Sequence, residues 1–341
     1  MGLKKIFIAI FGATIFKTQM KKKVILFLLI IVIFALFFIP VHQQKTILIK
    51  SRFLNTYSQL TNPAKWEKWL PDLRKTMITD SGKISILKDT NSFVIKNEKN
   101  KLEVTYKGNM FEINENKDGK KANYRYAVIP VADKFLNKTI IVVDDKTNAL
   151  KYLIGKFSAP SFSETHVDDF KNYMETDSLL YGFKIFKTEV PESTLIVMQK
   201  EVSEKDKFIG AAKVLAALQQ YIKTNNIKQM QPLIAQFNQN IKDSVEVKVG
   251  FFIDREVKSA NGVHFTRMPK GGPLYAVIFK GEFSKRGIAF DALKQYFADH
   301  SHQMVLLPWE TYLNNKLPVN DNDTVNIQVN LGTFPSGSAA K

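Results

Sequence analysis

Glu310 and Tyr312 stand one residue apart in the block Pro308-Trp309-Glu310-Thr311-Tyr312-Leu313. If the block is a strand, residues two apart project to one face, so a carboxylate and a phenol enter the same groove. A carboxylate shielded from water can do two kinds of chemistry. It can hold a cation, with aromatic faces adding cation–π attraction of about 0.5–2 kcal/mol each. It can instead take a proton from water as a general base, given hydrogen-bond reach and a pKa moved toward neutrality by burial. Trp309, Tyr312, Tyr275 and Phe279 are the candidate faces for the first role, and Glu310 with Tyr312 the candidate pair for the second. Against both stands the reading in which Glu310 is an exposed strand residue and the aromatics fill a core.

Other catalytic patterns are missing. His300-Ser301-His302 offers two imidazoles, but no third ligand follows at a helpful spacing, so a solvated helix-end loop is expected and no metal. No G-x-S-x-G, no H-E-x-x-H and no phosphate-cradling glycine loop occurs, and Lys270-Gly271-Gly272-Pro273 reads as a turn before a strand. The chain has no cysteine, which removes thiol catalysis, disulfides and Cys-ligated metals. No cofactor is implied, and nothing in the sequence demands an enzyme.

The elements that must position Glu310 form an internal repeat. Val190-Pro191 is echoed by Met268-Pro269, Ala217-Leu218-Gln219-Gln220-Tyr221 by Ala292-Leu293-Lys294-Gln295-Tyr296, and Gln231-Pro232-Leu233 by Leu307-Pro308-Trp309. Asp243-Ser244-Val245-Glu246-Val247-Lys248-Val249 is echoed by Asp323-Thr324-Val325-Asn326-Ile327-Gln328-Val329. The copies span about 188–254 and 263–334, and each reads strand, helix, strand, strand. Thr194–Val202, Met230–Phe237 and Val245–Ile253 carry strand patterns in the first. Phe208–Ile222 repeats apolar residues at helical spacing. In the second copy, Leu274–Phe279, Met304–Leu313 and Thr324–Leu331 are the strands and Ile288–Phe297 the helix. Two such units join their sheets, with helices expected on one face and a ligand groove on the other.

This order resembles the GyrI-like, or AraC-type effector-binding, family over residues 183–341. The motifs are Met268-Pro269 with Gly271-Gly272-Pro273-Leu274-Tyr275-Ala276-Val277, then Lys280-Gly281, the Trp309-Glu310-Thr311-Tyr312 block and Val325-Asn326-Ile327-Gln328-Val329. The resemblance implies binding of small, often cationic and lipophilic molecules, with Glu310 and Tyr312 on the family's Glu-x-Tyr position. Some relatives of that fold resemble hydrolases, which keeps water activation by Glu310 and Tyr312 as the alternative. A non-catalytic scaffold is a second alternative.

Residues 43–182 read differently. Lys45–Lys50 is a strand and Asn55–Leu70 is helical. Short alternating segments then follow at Lys83–Leu87, Ser92–Lys96, Leu102–Tyr106, Met110–Asn114, Tyr124–Ile129 and Thr139–Val143, before a helix over Glu164–Leu180. Asn62-Pro63 with Trp66-Glu67-Lys68-Trp69-Leu70-Pro71, plus the closing helix, resembles the SRPBCC superfamily, the START-like or polyketide cyclase-like fold. That resemblance implies a helix-grip domain with an apolar cavity for hydrophobic ligands. Trp66 and Trp69, three apart on one helical face, are expected to be structural.

Residues 1–42 read as a membrane anchor. An uncharged run begins after Lys21-Lys22-Lys23, with a spanning segment at about 24–41. The boundary lacks a small-x-small cleavage site, so an uncleaved signal anchor is expected. The positive-inside rule then keeps the lysines cytoplasmic and puts the folded domains on the periplasmic side of the inner membrane. Residues Ile6–Phe16 are apolar but too short to span, and Met20 competes with Met1 as the start. The formal charge of +17 falls to +11 once the six N-terminal lysines are set aside, and no basic run follows residue 23. Nucleic-acid binding is therefore not expected. The reading is an α+β protein with a transmembrane helix, a START-like domain and a tandem βαββ-repeat domain. Its expected partners are the membrane and a hydrophobic or amphipathic small molecule.

Overall fold

A computed structural model describes residues 26–71, 85–96, 100–117, 119–132, 137–155, 162–239 and 243–334. The lysines at 21–23, the segment Ile6–Phe16, both candidate starts and the Asp80-Ser81-Gly82 turn lie outside them. The chain is α+β and divides into two compact units, residues 1–172 and 173–341.

Residues 26–38 are helical, and apolar side chains are exposed all around that helix, from Leu26 and Phe27 to Phe37 and Phe38. No helix among the described residues is long and apolar enough to cross a membrane. The expected span to residue 41 is corrected at its end, because Pro40 and Val41 already pair in a sheet opposite Asn148 and Thr147.

The first unit is a seven-stranded antiparallel sheet. Its strands are β1 (Pro40–Ile49), β2 (Ser85–Asp89), β3 (Ser92–Lys96), β4 (Asn100–Lys107), β5 (Met110–Lys117), β6 (Lys120–Pro130) and β7 (Thr139–Asn148). They lie in the order β1-β7-β6-β5-β4-β3-β2, so all but the first follow chain order as a meander. Period-2 alternation sets the faces: Leu102, Val104 and Tyr106 of β4 are buried while Lys101, Thr105 and Lys107 are exposed. The stretch expected as a helix or helical turns is two helices, Phe53–Thr61 and Pro63–Trp69. Pro63 holds Asn62 extended, and the Asn62 side chain accepts the Ala64 N–H at 3.1 Å to cap the second helix. The closing helix likewise breaks at Thr176, giving Phe162–Glu175 and Asp177–Leu180. Trp66 and Trp69 are core residues, their rings 4.6 Å apart, with Phe93 against the first and Phe170 against the second.

The second unit is an eight-stranded antiparallel sheet built from the two copies. The strands are β8 (Phe186–Glu189), β9 (Thr194–Ser203), β10 (Ile234–Gln239), β11 (Ser244–Phe252), β12 (Val263–Arg267), β13 (Pro273–Glu282), β14 (Trp309–Tyr312) and β15 (Thr324–Gly332), in the order β12-β9-β11-β10-β14-β15-β13-β8. The copies join where β10 pairs β14, Ile234 opposite Thr311 and Ala235 opposite Glu310. Helices Lys207–Thr224 and Gly287–His300 bury Val214, Leu218, Leu293 and Phe297 against one face, where Val247, Val249, Ile327 and Val329 meet them. The strand expected at Met304–Leu313 is shorter. Pro308 has no N–H to donate, and only Trp309–Tyr312 enters the ladder. Edge strands β8 and β12 are additions that the repeat pattern does not contain.

Candidate functional site

Register decides where the candidate residues go. Glu310 lies between Ala235 and Val329, and Tyr312 opposite Ile327, which places both on the helix-covered face. Tyr275 and Phe279 share that face through their partners Leu331 and Ile327. Trp309 alternates to the opposite face, where it packs with Leu195, Ile234, Phe252 and Leu274. The expectation of one groove holding all five side chains, on the face away from the helices, is therefore corrected. Four share the helix face and one lies behind it.

Glu310 is only 2% exposed and both of its oxygens are engaged. Arg286 Nε donates to Oε1 at 2.6 Å, and the Tyr312 hydroxyl donates to Oε2 at 2.5 Å. Arg286 stands at the start of the second-copy helix and also donates through Nη1 to the Phe283 carbonyl at 3.2 Å. Its guanidinium carbon lies 3.5 Å from the Phe283 ring centre and 5.6 Å from that of Phe237. Phe237 and Phe208 set their edges against Phe283 at 5.1 and 5.3 Å. On the far side of this cluster Lys207 faces Phe208 at 4.9 Å and pairs with Glu204 and Asp321 at 2.6 and 2.9 Å. Each copy thus brings a cation at the start of its helix to one shared aromatic cluster.

Burial is the largest influence on both acids here. It pushes the Glu310 carboxyl above its ordinary range, with the Arg286 charge and the hydrogen bonds from Tyr312 and Arg286 pulling back. Burial, then the Glu310 carboxylate, raises the Tyr312 phenol well above its ordinary value. The chemistry of the cluster is recognition of a cation by a carboxylate and ring faces, and its occupant is the chain's own guanidinium. Arg286 and Tyr312 each take one acceptor position on the two oxygens, so a water activated by Glu310 has to use a remaining lone pair or displace one of these donors.

The sequence named the carboxylate and its Tyr312 donor but not the cation or the rings around it. Arg286, Phe283 and Phe237 come from the loop before a helix and from the other copy. The signal that would have found them is the cation that opens the helix in each copy. Tyr275 belongs to a separate aromatic group, stacked on His302 at 4.7 Å and tilted against Tyr296 at 5.2 Å, with Phe297 edge-on at 5.6 Å. Phe279 is buried core beneath Gly281. The expected solvated loop at His300-Ser301-His302 is corrected in part: His300 stacks on Tyr296 at 4.0 Å, and His302 is partly buried, which lowers its pKa. No cluster of three metal-ligating side chains occurs among the described residues.

Two further features were not anticipated. In the first unit the buried Tyr124 hydroxyl sits 3.0 Å from His166 Nδ1 and donates to Glu115 Oε2 at 3.3 Å. On the second unit, a cavity of about 290 Å³ opens on the face behind the helices, with Trp309 in its wall.

No family model matches the sequence, and no curated protein does. Among solved structures, the EcmrR C-terminal domain is similar at 17% identity and a TM-score of 0.36, over 44% of this chain and 96% of that one. A START superfamily protein from Mycobacterium smegmatis is similar at 14% identity and 0.27, over 39% and 97%. SAV2435 bound to tetraphenylphosphonium is similar at 6% identity and 0.27, over 46% and 97%. Likeness at this level establishes neither a family nor an activity for the chain.

Proposed function

We propose that the C-terminal unit binds a lipophilic or amphipathic small molecule, a cation in the first instance, at the Glu310 cluster. The observation that supports this reading is the Arg286 guanidinium stacked on Phe283 and held by a carboxylate that is otherwise sealed from water. A buried acid beside ring faces is the arrangement that accepts a desolvated cation, and a ligand enters by exchanging with Arg286. The chain then senses or sequesters its ligand without turnover.

The test is calorimetric titration of the full chain with tetraphenylphosphonium as the probe. Arg286→Gln, which removes the internal cation, should bind at least tenfold more tightly than the native chain. Adding Glu310→Gln should abolish that gain. A folded Arg286→Gln variant with no gain in affinity overturns the exchange reading, and Arg286→Lys, which keeps an internal cation, should show no such gain.

The same proposal tethers the chain to a membrane through the all-round apolar helix at residues 26–38 and the lysines before it, with the folded units on the side away from those lysines. In a bacterial host with a periplasm, the full chain should resist alkaline carbonate extraction, and protease added to spheroplasts should degrade both units. Recovery of the full chain in the carbonate supernatant would remove the membrane from the reading.

A further inference from the structure

The cavity behind the helices has a chemistry opposite to that of the Glu310 cluster. Its walls are apolar, from Leu195, Ile234, Leu306 and Trp309, and Leu307 stands exposed at the rim. The charged residues lining it are Lys248 and Arg267, and none of the lining residues is acidic. Both cations hold only loose or exposed partners. Lys248 Nζ is 3.6 Å from Glu246, and Arg267 pairs with Glu256 where both side chains are more than half exposed. An exposed pair such as Arg267–Glu256 adds little to stability and leaves the guanidinium able to take another anion.

The two copies differ in the residues at this cavity. Lys248, Gly250 and Phe252 on β11 correspond to Gln328, Asn330 and Gly332 on β15, by the Asp243–Val249 and Asp323–Val329 match. Asn330 fills its place and donates to the Thr311 hydroxyl and the Gln328 carbonyl, both at 3.1 Å. At Gly250 a Cβ would lie 2.8 Å from the Ile196 carbonyl oxygen and 2.9 Å from Val197 Cγ1, so the position takes no side chain. Ile196, Val197 and Ile234 close in over Gly250, and beside it Lys248 stands where the second copy has the neutral Gln328.

We infer that this cavity is a second binding site, selective for a small amphipathic anion: a carboxylate with one short apolar tail or ring. The apolar body seats against Trp309, Ile234 and Leu306, and the carboxylate takes the charge of Lys248 and Arg267. The volume of about 290 Å³, just below the ~300–1,000 Å³ of sites that enclose drug-sized ligands, suits one short tail or ring.

The experiment titrates the full chain with octanoate, followed by calorimetry, with 1-octanol as the neutral control of equal tail length. One octanoate should bind per chain, at least tenfold more tightly than octanol. Lys248→Glu combined with Arg267→Glu should weaken octanoate at least tenfold. Arg267→Gln alone, at a side chain too exposed to affect folding, should weaken it measurably. Binding should persist in Glu310→Gln, which separates this site from the cation cluster whatever the fate of that proposal. Equal affinity for octanol, full affinity in the doubly reversed variant, loss of binding in Glu310→Gln, or no octanoate binding at all would each overturn the inference.

Discussion

Arg286→Gln is expected to lower the stability of the C-terminal unit by about 3–5 kcal/mol at neutral pH, the usual consequence of removing one partner from a buried ion pair. For a unit of this size that is a fall of roughly 10 °C in midpoint, readable by differential scanning calorimetry. The cost is large because Glu310 is left in a site with almost no access to water, facing only the Tyr312 hydroxyl. The sign of the pH dependence follows from the direction of its shift. Burial raises the Glu310 carboxyl, so the folded state holds that proton more tightly than the unfolded chain. Its contribution is fully present below the unfolded value of about 4.3 and is lost as pH rises through the raised folded value. Removing Arg286 takes away an influence that lowers the carboxyl, so the loss should be greater at pH 8 than at pH 5. Arg286→Gln with Glu310→Gln should recover most of it, since no buried charge then remains.

The same variant joins stability to binding. Tetraphenylphosphonium at a hundredfold excess over its Kd should restore about 2.7 kcal/mol by mass action, close to what the substitution removed. Restoration at pH 8 that vanishes with Glu310→Gln identifies the carboxylate as the group the cation meets. A stability loss of less than 1 kcal/mol would mean that the pair is not sealed as the burial of Glu310 indicates.

Trp66→Ala should destabilise the first unit by about 3–5 kcal/mol, the range for deleting a buried aromatic side chain. Trp66 is 1% exposed, and its ring meets Trp69 at 4.6 Å and Phe93 at 5.6 Å. Its indole N–H also donates to the Leu60 carbonyl at 2.9 Å, so truncation removes ring contacts and a buried hydrogen bond together. Trp66→Phe keeps much of the volume and should cost less. Urea denaturation followed by far-ultraviolet circular dichroism reads both, and an Ala variant within 1 kcal/mol of the native chain would show a wall that relaxes without cost. Such a wall would suit a ligand cavity better than a packed core.

Much of the architecture was legible in residue order because its signals are local. The alternation in Leu102–Tyr106 and Val245–Ile253 assigns strands by period alone, and the apolar spacing in Phe208–Ile222 does the same for the helix. The doubled Asp-x-Val blocks announce a repeat without any coordinates. Asn62-Pro63 carries the break between two helices, a local signal set by the proline.

What the residue order determined, then, was the class, the repeat and the single acid worth examining. Tertiary structure alone decided the faces and the partners. Glu310 and Trp309 are neighbours in sequence and lie on opposite sides of one sheet, because successive strand residues alternate and the β10–β14 register chooses which of them meets the helices. Arg286 reaches Glu310 from a helix start and Phe237 reaches Arg286 from the other copy, contacts whose sequence separation leaves no period to read. The cavity over Gly250 follows from the same cause. Its walls come from β9, β10, β11, β12 and the segment before β14, which only the packed sheet brings together.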